Sequence, residues 1–407
     1  MNSSHEYKSK FMSKGSLSNK IDSKYISAKK VVVKKNNKFI GIKDIKKYFD
    51  DKNIKYNLDS RIFYYNHILN KISDISNNEC LNVRHIEKTS IINYTIKDKI
   101  TLVKRIGTSS KYGYIYITKI KNEIGKYPIA AKLMIQNNRN ILESELNSKI
   151  TELIINTKIS KHFILTYKVI KCNILSNKKL PDIINNRTYI ILLNELARGD
   201  LKHLCKKKDF LKNNELLYNV FAQIILSILT FHNLGYIHRD CHWGNFLYHY
   251  NNNLTGYYHY NINGKNYYLK TSKYSMYIYD FGLCTTINSV DTYDIFDDYR
   301  RITGPFVNQN ISKDSWLADI GAPINLPSDE FSIFVSDFKY KLKNIYKDNK
   351  YIYIKNTKFL NKLSEGIINE LLQMPNNVFI DKKPLNAKII NNKPYYINNK
   401  IKIKIKL

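Results

Sequence analysis

Residues 238 to 246 read His238-Arg239-Asp240-Cys241-His242-Trp243-Gly244-Asn245-Phe246, and this stretch decides the fold assigned to the chain. It places a carboxylate, Asp240, five positions before a carboxamide, Asn245, in a segment of turn-like composition. Phosphoryl transfer uses this spacing, because the reaction needs a carboxylate to orient the attacking hydroxyl and an oxygen ligand for a metal ion beside the triphosphate. The sequence therefore predicts Asp240 as a catalytic base, although Asp240 taken alone would be interpreted as a turn cap.

A second acidic motif, Asp280-Phe281-Gly282, follows a short predicted strand. The side-chain oxygens of Asp280 and Asn245 are hard ligands of the kind that Mg²⁺ prefers, so both residues are candidate metal ligands. A long amphipathic helix ends near Gly235 and delivers the chain into the loop. Its apolar face consists of Leu217, Val220, Phe221, Ile224, Ile228 and Phe231. The three-residue motif is weak by itself and gains weight from following the loop.

Two glycines lie upstream, in a run between two predicted strands. Glycines at this place let backbone amides approach phosphate groups closely. The alternative interpretation is an ordinary hairpin that contains two glycines. The candidate nucleotide-binding residues of this run are Ile106, Gly107, Gly113, Tyr114 and Ile115.

Lys132 lies on the next predicted strand, with Ile129, Ala130 and Ala131 before it. A lysine on such a strand contacts the α- and β-phosphates of a nucleotide when a carboxylate fixes its direction. We expect Glu152 to be that carboxylate, because it lies in the middle of a helix predicted over residues 143 to 160. The competing choices are Glu143 and Glu145, and the alternative role for Lys132 is a strand-edge lysine that reaches solvent.

In chain order, these motifs resemble those of the protein-kinase superfamily over roughly residues 99 to 284. The resemblance implies an α+β fold of two lobes, a β-rich N-terminal lobe and a mainly helical C-terminal lobe. It implies ATP as phosphate donor, Mg²⁺ as cofactor, Asp240 as base, Lys132 paired with Glu152, and Asn245 with Asp280 as metal ligands. The implied activity is that of a serine/threonine protein kinase, and the divergent motifs are similar to those of kinases from large DNA viruses.

Three departures from that pattern concern spacing and loops. The glycine run has one extra residue and a serine where a central glycine belongs. Asn245 and Asp280 are 35 positions apart, and the intervening Tyr-rich insertion contains Asn263-Gly264, which predicts a hairpin. No Ala-Pro-Glu follows Asp280, so the platform that would bind an acceptor peptide is not readable.

The fourth departure is His242. Most protein kinases carry a lysine two positions after the catalytic aspartate, where it neutralises the transferring phosphate. A histidine of ordinary pKa, about 6.5, is largely neutral at pH 7 and donates a hydrogen bond instead, which predicts a pH-sensitive turnover. The arrangement resembles the aminoglycoside and choline phosphotransferases, so a small-molecule or lipid kinase remains open, as does a pseudokinase that only binds.

Arg239 precedes the catalytic aspartate, as in kinases whose activation loop is phosphorylated. In that interpretation its guanidinium pairs with a phosphorylated side chain, and in the alternative it is buried against loop carbonyls. The possible acceptors are Thr285, Thr286, Ser289, Thr292 and Tyr293.

The chain of 407 residues is long enough for a fold of two lobes with extensions. We expect a disordered basic tail at 1–35 and an N-terminal extension of unreadable role at 36–95. The two lobes are expected at 96–195 and 196–375, the second with an insertion at about 250–276. A basic tail is expected at 376–407, and its ending at 401–407, Ile-Lys-Ile-Lys-Ile-Lys-Leu, is interpreted as an edge strand or a frayed basic tail.

The formal net charge of +32 would ordinarily suggest nucleic acid or an anionic surface as a partner. We favour genome composition as the explanation, because Lys, Asn, Ile and Tyr have AT-rich codons. No segment resembles a signal peptide or a membrane helix, and five scattered cysteines argue against a disulfide framework or a structural zinc site. An intracellular, cytoplasmic protein is expected, in a host cell or virion if viral. The oligomeric state is not readable.

Overall fold

The computed structural model describes residues 57–85, 92–110, 113–121, 129–172, 187–251, 254–287, 292–306, 328–347, 357–391, 393–398 and 403. The predicted tail at 1–35 lies outside these ranges, as does the beginning of the predicted extension at 36–95. The architecture is α+β, as predicted: a large antiparallel sheet with two helices comes first, and helices with smaller sheets follow.

Seven antiparallel strands form the large sheet, in the order β1-β2-β3-β4-β5-β7-β6. The strands predicted on either side of the glycine run, and the next strand with Lys132, are β3 to β5. Strand β7 is buried on both faces, which suits the apolar run that opens it, Tyr189 to Leu193. The strands are β1 Leu81–His85, β2 Ile92–Ile96, β3 Ile100–Ser110, β4 Gly113–Ile120, β5 Ile129–Ile135, β6 Thr166–Cys172 and β7 Tyr189–Glu195.

Two helices pack beside this sheet, α1 Leu58–Lys71 and α2 Asn138–Thr157. Asparagine side chains cap both, since Asn57 accepts a hydrogen bond from the Ser60 amide and Asn137 accepts one from the Asn140 amide, each at 2.8 Å. Helix α2 begins five residues before the predicted helix. That earlier start changes which of its glutamates can reach the sheet.

A disulfide joins Cys80, just before β1, to Cys172 at the end of β6, with the two Cα atoms 5.1 Å apart. The sequence argued against a disulfide framework, and it gave no indication of this single bond. The two cysteines are 92 positions apart, and the tertiary fold brings them together: the Lys171 amide donates to the Asn77 carbonyl at 2.7 Å.

Among the described residues of the C-terminal part there are six helices, and the longest of these, α5, is its core. Nearly every residue of α5 from Leu217 onward is buried. Helix α5 is long and apolar enough to cross a membrane by length and composition, but 89% of its apolar 18-residue stretch is buried inside the fold. The helices are α3 Leu201–Leu204, α4 Lys208–Leu211, α5 Asn214–Asn233, α6 Thr292–Thr303, α7 Asp329–Lys347 and α8 Thr357–Leu371.

Short strands surround α5 in three small sheets. One has the order β13-β10-β8, one pairs β14 with β9, and the third has the order β15-β12-β11-β16. These strands are β8 Gly199–Asp200, β9 Tyr236–Ile237, β10 Phe246–Tyr250, β11 Tyr257–Ile262, β12 Lys265–Lys270, β13 Tyr274–Ile278, β14 Thr285–Thr286, β15 Phe379–Ile380 and β16 Tyr395–Ile397.

The predicted hairpin at Asn263-Gly264 is confirmed, because it joins β11 to β12 with φ of 50° and 87° at its two turn residues. Strands β15 and β16 add to the edges of this hairpin. Part of the segment interpreted as a tail, 376–407, therefore lies in a sheet with the insertion. The edge strand considered for the ending at 401–407 lies outside the described residues, apart from Ile403.

Candidate active site

Lys132 is the centre of the site. Strand β5 carries it, and its side chain is 9% exposed. Its Nζ donates to Glu143 Oε1 at 2.6 Å and to Asp280 Oδ1 at 2.9 Å, and it lies 5.5 Å from the centre of the Tyr279 ring. Burial disfavours the ammonium, but the charges of Asp280 and Glu143 prevail and raise the pKa of Lys132. The lysine is therefore a fixed cation, and the solvent-reaching alternative does not hold.

Glu143, and not Glu152, is the partner of this lysine. Glu143 is buried, whereas the side chain of Glu152 is 65% exposed and lies 3.8 Å from Lys149 on the same helix. The prediction of a pair between Lys132 and Glu152 is therefore wrong. At about 100° per residue, the nine positions between the two glutamates place them on opposite faces of α2. Because α2 begins at Asn138, Glu143 lies in its second turn and faces β5.

Asp280 begins the turn that follows β13. Its backbone is left-handed, with φ 66° and ψ 71°, and one oxygen accepts from Lys132 while the side chain stays 41% exposed. Burial of the carboxyl opposes ionisation, but the Lys132 ammonium and its hydrogen bond lower the pKa of Asp280 below its usual value. Asp280 is therefore an anion. One of its carboxylate oxygens accepts a hydrogen bond from Lys132, and part of its side chain remains exposed.

The residues after Asp280 anchor this turn. Phe281 is buried and stacks on Phe231 of α5, with ring centres 4.9 Å apart. The Arg139 guanidinium of α2 donates to the Gly282 carbonyl. A Cβ at Gly282 would lie 3.2 Å from the Glu143 carboxylate, so a larger residue would press on the partner of Lys132. The turn that follows Asp280 is thus packed between α5 and α2.

Asp240 and Asn245 lie together in the loop between β9 and β10. The Asn245 amide nitrogen donates to the Asp240 carbonyl at 2.9 Å and to Asp240 Oδ2 at 3.3 Å. The Asn245 carbonyl accepts from the Tyr279 amide at 2.9 Å, which connects the loop to the residue before Asp280. Because the amide nitrogen is committed to Asp240, the side-chain oxygen of Asn245 is the atom that suits a cation.

His242 faces the same carboxylate. Its Nδ1 accepts from the Gly244 amide at 3.0 Å, so the neutral ring carries its proton on Nε2, which lies 3.6 Å from Asp240 Oδ2. Burial lowers the pKa of His242 below 6.5, although Asp240 and Asp280 act in the opposite direction. A Cβ at position 244 would lie 2.8 Å from the ring, which explains the glycine there.

Asp298 on α6 holds the backbone of this loop, and the sequence analysis missed it. It accepts from the amides of His238 and Arg239, each at 2.8 Å, and His232 Nε2 lies 2.9 Å from it. One signal was available: Asp298 interrupts an apolar stripe of α6 at helical spacing. The buried apolar members of that stripe are Ile295, Tyr299 and Ile302.

Arg239 is exposed and has a positive φ of 62°. The interpretation as a buried arginine therefore does not hold, and its pairing with a phosphorylated residue stays a prediction. Cys241 and Cys284 are buried, and burial raises the pKa of both thiols, that of Cys284 to about 12. They are packing residues beside the site.

The glycine run forms the β3–β4 hairpin, in which Ile106 pairs with Ile115 and Tyr114 pairs with Leu133 of β5. Gly107 lies within β3, and positions 111 and 112 lie outside the described residues. A Cβ at Gly113 would lie 2.5 Å from the Leu133 carbonyl oxygen, so sheet packing alone requires this glycine. The nucleotide contacts of the run stay a prediction.

Within the described ranges, no group of three or more His, Cys, Asp or Glu side chains has the arrangement of a metal centre. The donor set that the site offers is instead one carboxylate, Asp280, and one carboxamide oxygen, Asn245. Such a sparse oxygen set fits Mg²⁺, which keeps several waters and takes its remaining ligands from phosphates.

The chain is 28% identical over 193 residues to the probable serine/threonine-protein kinase fhkB of Dictyostelium discoideum. The similarity is to a kinase. It covers 46% of this chain but only 15% of that protein, and no protein-family model matches the chain. This identity and coverage support a kinase-like relationship. The resemblance to viral kinases stays a prediction.

Proposed function

We propose that the chain is an ATP-dependent phosphotransferase with a two-lobed, kinase-like fold, and that it phosphorylates serine or threonine in a protein. The observation that carries the proposal is the buried Lys132 ammonium, which bridges Glu143 and Asp280 at 2.6 and 2.9 Å. A buried cation that joins a helix to a candidate metal ligand suits the positioning of a triphosphate.

Each side chain has a role in the proposed reaction. Lys132 contacts the α- and β-phosphates, and Glu143 fixes its direction. Asn245 and Asp280 hold Mg²⁺, which neutralises phosphate charge when it is bound. Asp240 aligns the acceptor hydroxyl and accepts its proton. Alignment is the larger contribution, because a loose phosphoryl-transfer transition state needs little proton-transfer catalysis.

One observation favours a second candidate, a small-molecule or lipid phosphotransferase. Strand β14 ends at Thr286 and α6 begins at Thr292, so the chain passes quickly from the metal-binding turn to the helix that holds the catalytic loop. Little chain is available there for a surface on which an acceptor peptide would lie. His242 in place of lysine points in the same direction.

Transfer of radiolabelled γ-phosphate separates these candidates. The acceptors are generic proteins such as casein and small alcohols such as choline or an aminoglycoside, each tested with wild type and Asp240→Asn. We expect label on protein serine or threonine, lost in the variant. Label on the small alcohols alone would support the second candidate. Binding of Mg·ATP without transfer to any acceptor would support a pseudokinase and contradict the proposal.

A further inference from the structure

Arg301, on α6, lies beside the catalytic aspartate. Its Nη1 is 3.7 Å from Asp240 Oδ1, and both side chains are 25% exposed. We propose that Arg301 is a positioning residue for Asp240, which restrains the carboxylate through its Oδ1 oxygen. The inference rests on the proposed function, since it assigns a role in that reaction.

The two oxygens of Asp240 have different neighbours. Asn245 and His242 approach Oδ2, at 3.3 and 3.6 Å, and Arg301 approaches Oδ1. A carboxylate approached from both sides is restricted in its rotation, so the lone pair that receives the acceptor proton has a defined direction. In-line transfer is sensitive to such placement, because an error of about 1 Å costs on the order of 100-fold in rate.

Arg301 is itself held in place. Asp297, one turn earlier on α6, accepts from Arg301 Nε with one oxygen and from Arg300 Nε with the other, the second contact at 2.6 Å. The hydrogen bond to Asp297 therefore holds the Arg301 guanidinium beside Asp240. A planar guanidinium can contact two carboxylates at once, whereas a lysine ammonium is a single point charge.

Arg301 is a fixed cation beside the catalytic aspartate. Two positions after Asp240, where most protein kinases carry a lysine, this chain has His242. The guanidinium of Arg301 keeps its charge at any working pH and lies 3.7 Å from Asp240 Oδ1. Helix α6 therefore places a permanent positive charge next to Asp240.

Arg300 offers a matched control, because it shares Asp297 with Arg301 but lies on the outer side, with 37% of its side chain exposed. We would measure kcat, and KM for ATP, of wild type, Arg301→Ala, Arg301→Lys and Arg300→Ala, each with a thermal melt. We expect Arg301→Ala to lower kcat by about 10- to 100-fold with little change in KM for ATP. Arg300→Ala should stay within about twofold of wild type.

Two further readouts separate positioning from stability. Arg301→Lys should recover part of the lost kcat, and added guanidinium ion at non-denaturing concentration should partly rescue Arg301→Ala but not Asp240→Asn. If Arg301→Ala does not fold, Arg301→Lys and Asp297→Asn carry the test, each with the expected drop in kcat. An active wild type with Arg301→Ala equal to Arg300→Ala would overturn the inference alone. A wild type without any transfer would overturn the proposed function as well.

Discussion

Arg61 and Lys132 each form a buried ion pair in the described part of the chain, and the two networks differ in how completely their charged groups are surrounded by partners. In the first, Arg61 of α1 donates to both carboxylate oxygens of Glu195, at 2.9 and 2.6 Å. Two further N–H groups of Arg61 donate to the carbonyls of Lys161 and Phe163, at 2.9 and 2.5 Å. In the second, Lys132 pairs with Glu143 and Asp280, but Asp280 keeps 41% of its side chain exposed.

Under the proposed function, the first network is structural and the second belongs to the active site. Glu195 also accepts from the Leu165 amide at 2.8 Å, and the Arg61 guanidinium lies 4.4 Å from the centre of the Tyr277 ring. The first network therefore ties α1 to the sheet. In the second network, the exposed side of Asp280 is where the proposal places a metal ion and phosphates. Buried charges with an exposed edge are candidates for a functional site.

The largest expected effect comes from breaking the open network. Lys132→Met removes the cation that Glu143 and Asp280 share, and we expect phosphate transfer to fall by about 100-fold or more. A radiolabel assay measures this loss, and a thermal melt shows whether the variant remains folded. A folded Lys132→Met with more than a tenth of wild-type turnover would contradict the role assigned to the lysine.

Breaking the closed network should instead cost stability. Arg61→Ala leaves Glu195 as an uncompensated buried charge, so the free energy of unfolding should fall by about 3–5 kcal/mol, measured by urea denaturation. The matched variant Arg61→Met with Glu195→Gln removes both charges and should recover much of that loss. Equal stability of wild type and Arg61→Ala would show that this network does not hold α1 in place.

Two glutamates on one helix give a sharper comparison. Glu143→Gln weakens the interaction that orients Lys132 but keeps the volume of the side chain at position 143, so we expect kcat to drop by about 10-fold. Glu152→Gln changes an exposed residue and should leave kcat within about twofold of wild type. Steady-state kinetics of the two variants test this, and the opposite ranking would restore the original prediction of Glu152.

The smallest expected effect concerns pH. Because burial lowers the pKa of His242 below 6.5, the neutral ring predominates at pH 7 and the charged ring forms only in more acidic solution. The turnover of wild type should therefore change as pH falls below about 6.5, whereas His242→Lys, with a fixed charge, should lack that change. Superimposable pH–rate profiles from about pH 5.5 to 8 would rule out this role.

Local patterns predicted much of the fold. The apolar spacing over Leu217 to Phe231 predicted α5, and Asn263-Gly264 predicted the hairpin, because helix periodicity and turn geometry depend on neighbouring residues. The pairing of Cys80 with Cys172 and the addition of β15 and β16 to the insertion were not predictable in this way. They depend on contacts between residues far apart in the chain.

In the site, too, local spacing predicted some residues, whereas others depend on contacts between distant parts of the chain. Lys132, Asp240, Asn245 and Asp280 were found from spacing, and the structure brings them into connected parts of one site. The choice of Glu152 failed because it needed the start of α2 to within one or two residues, and helix boundaries are the least certain feature of a sequence. Asp298 and Arg301 of α6, which contact the loop, were missed because their partners lie about 60 positions earlier in the chain.

Transfer of phosphate by these residues can be measured in a single turnover, with enzyme in excess over labelled ATP. We expect wild type to transfer the γ-phosphate to an acceptor hydroxyl. Asp240→Asn should bind the same amount of labelled ATP but transfer it about 100-fold more slowly or worse. Equal transfer rates for the two proteins, or labelled ATP bound by wild type with no transfer to any acceptor, would contradict the account.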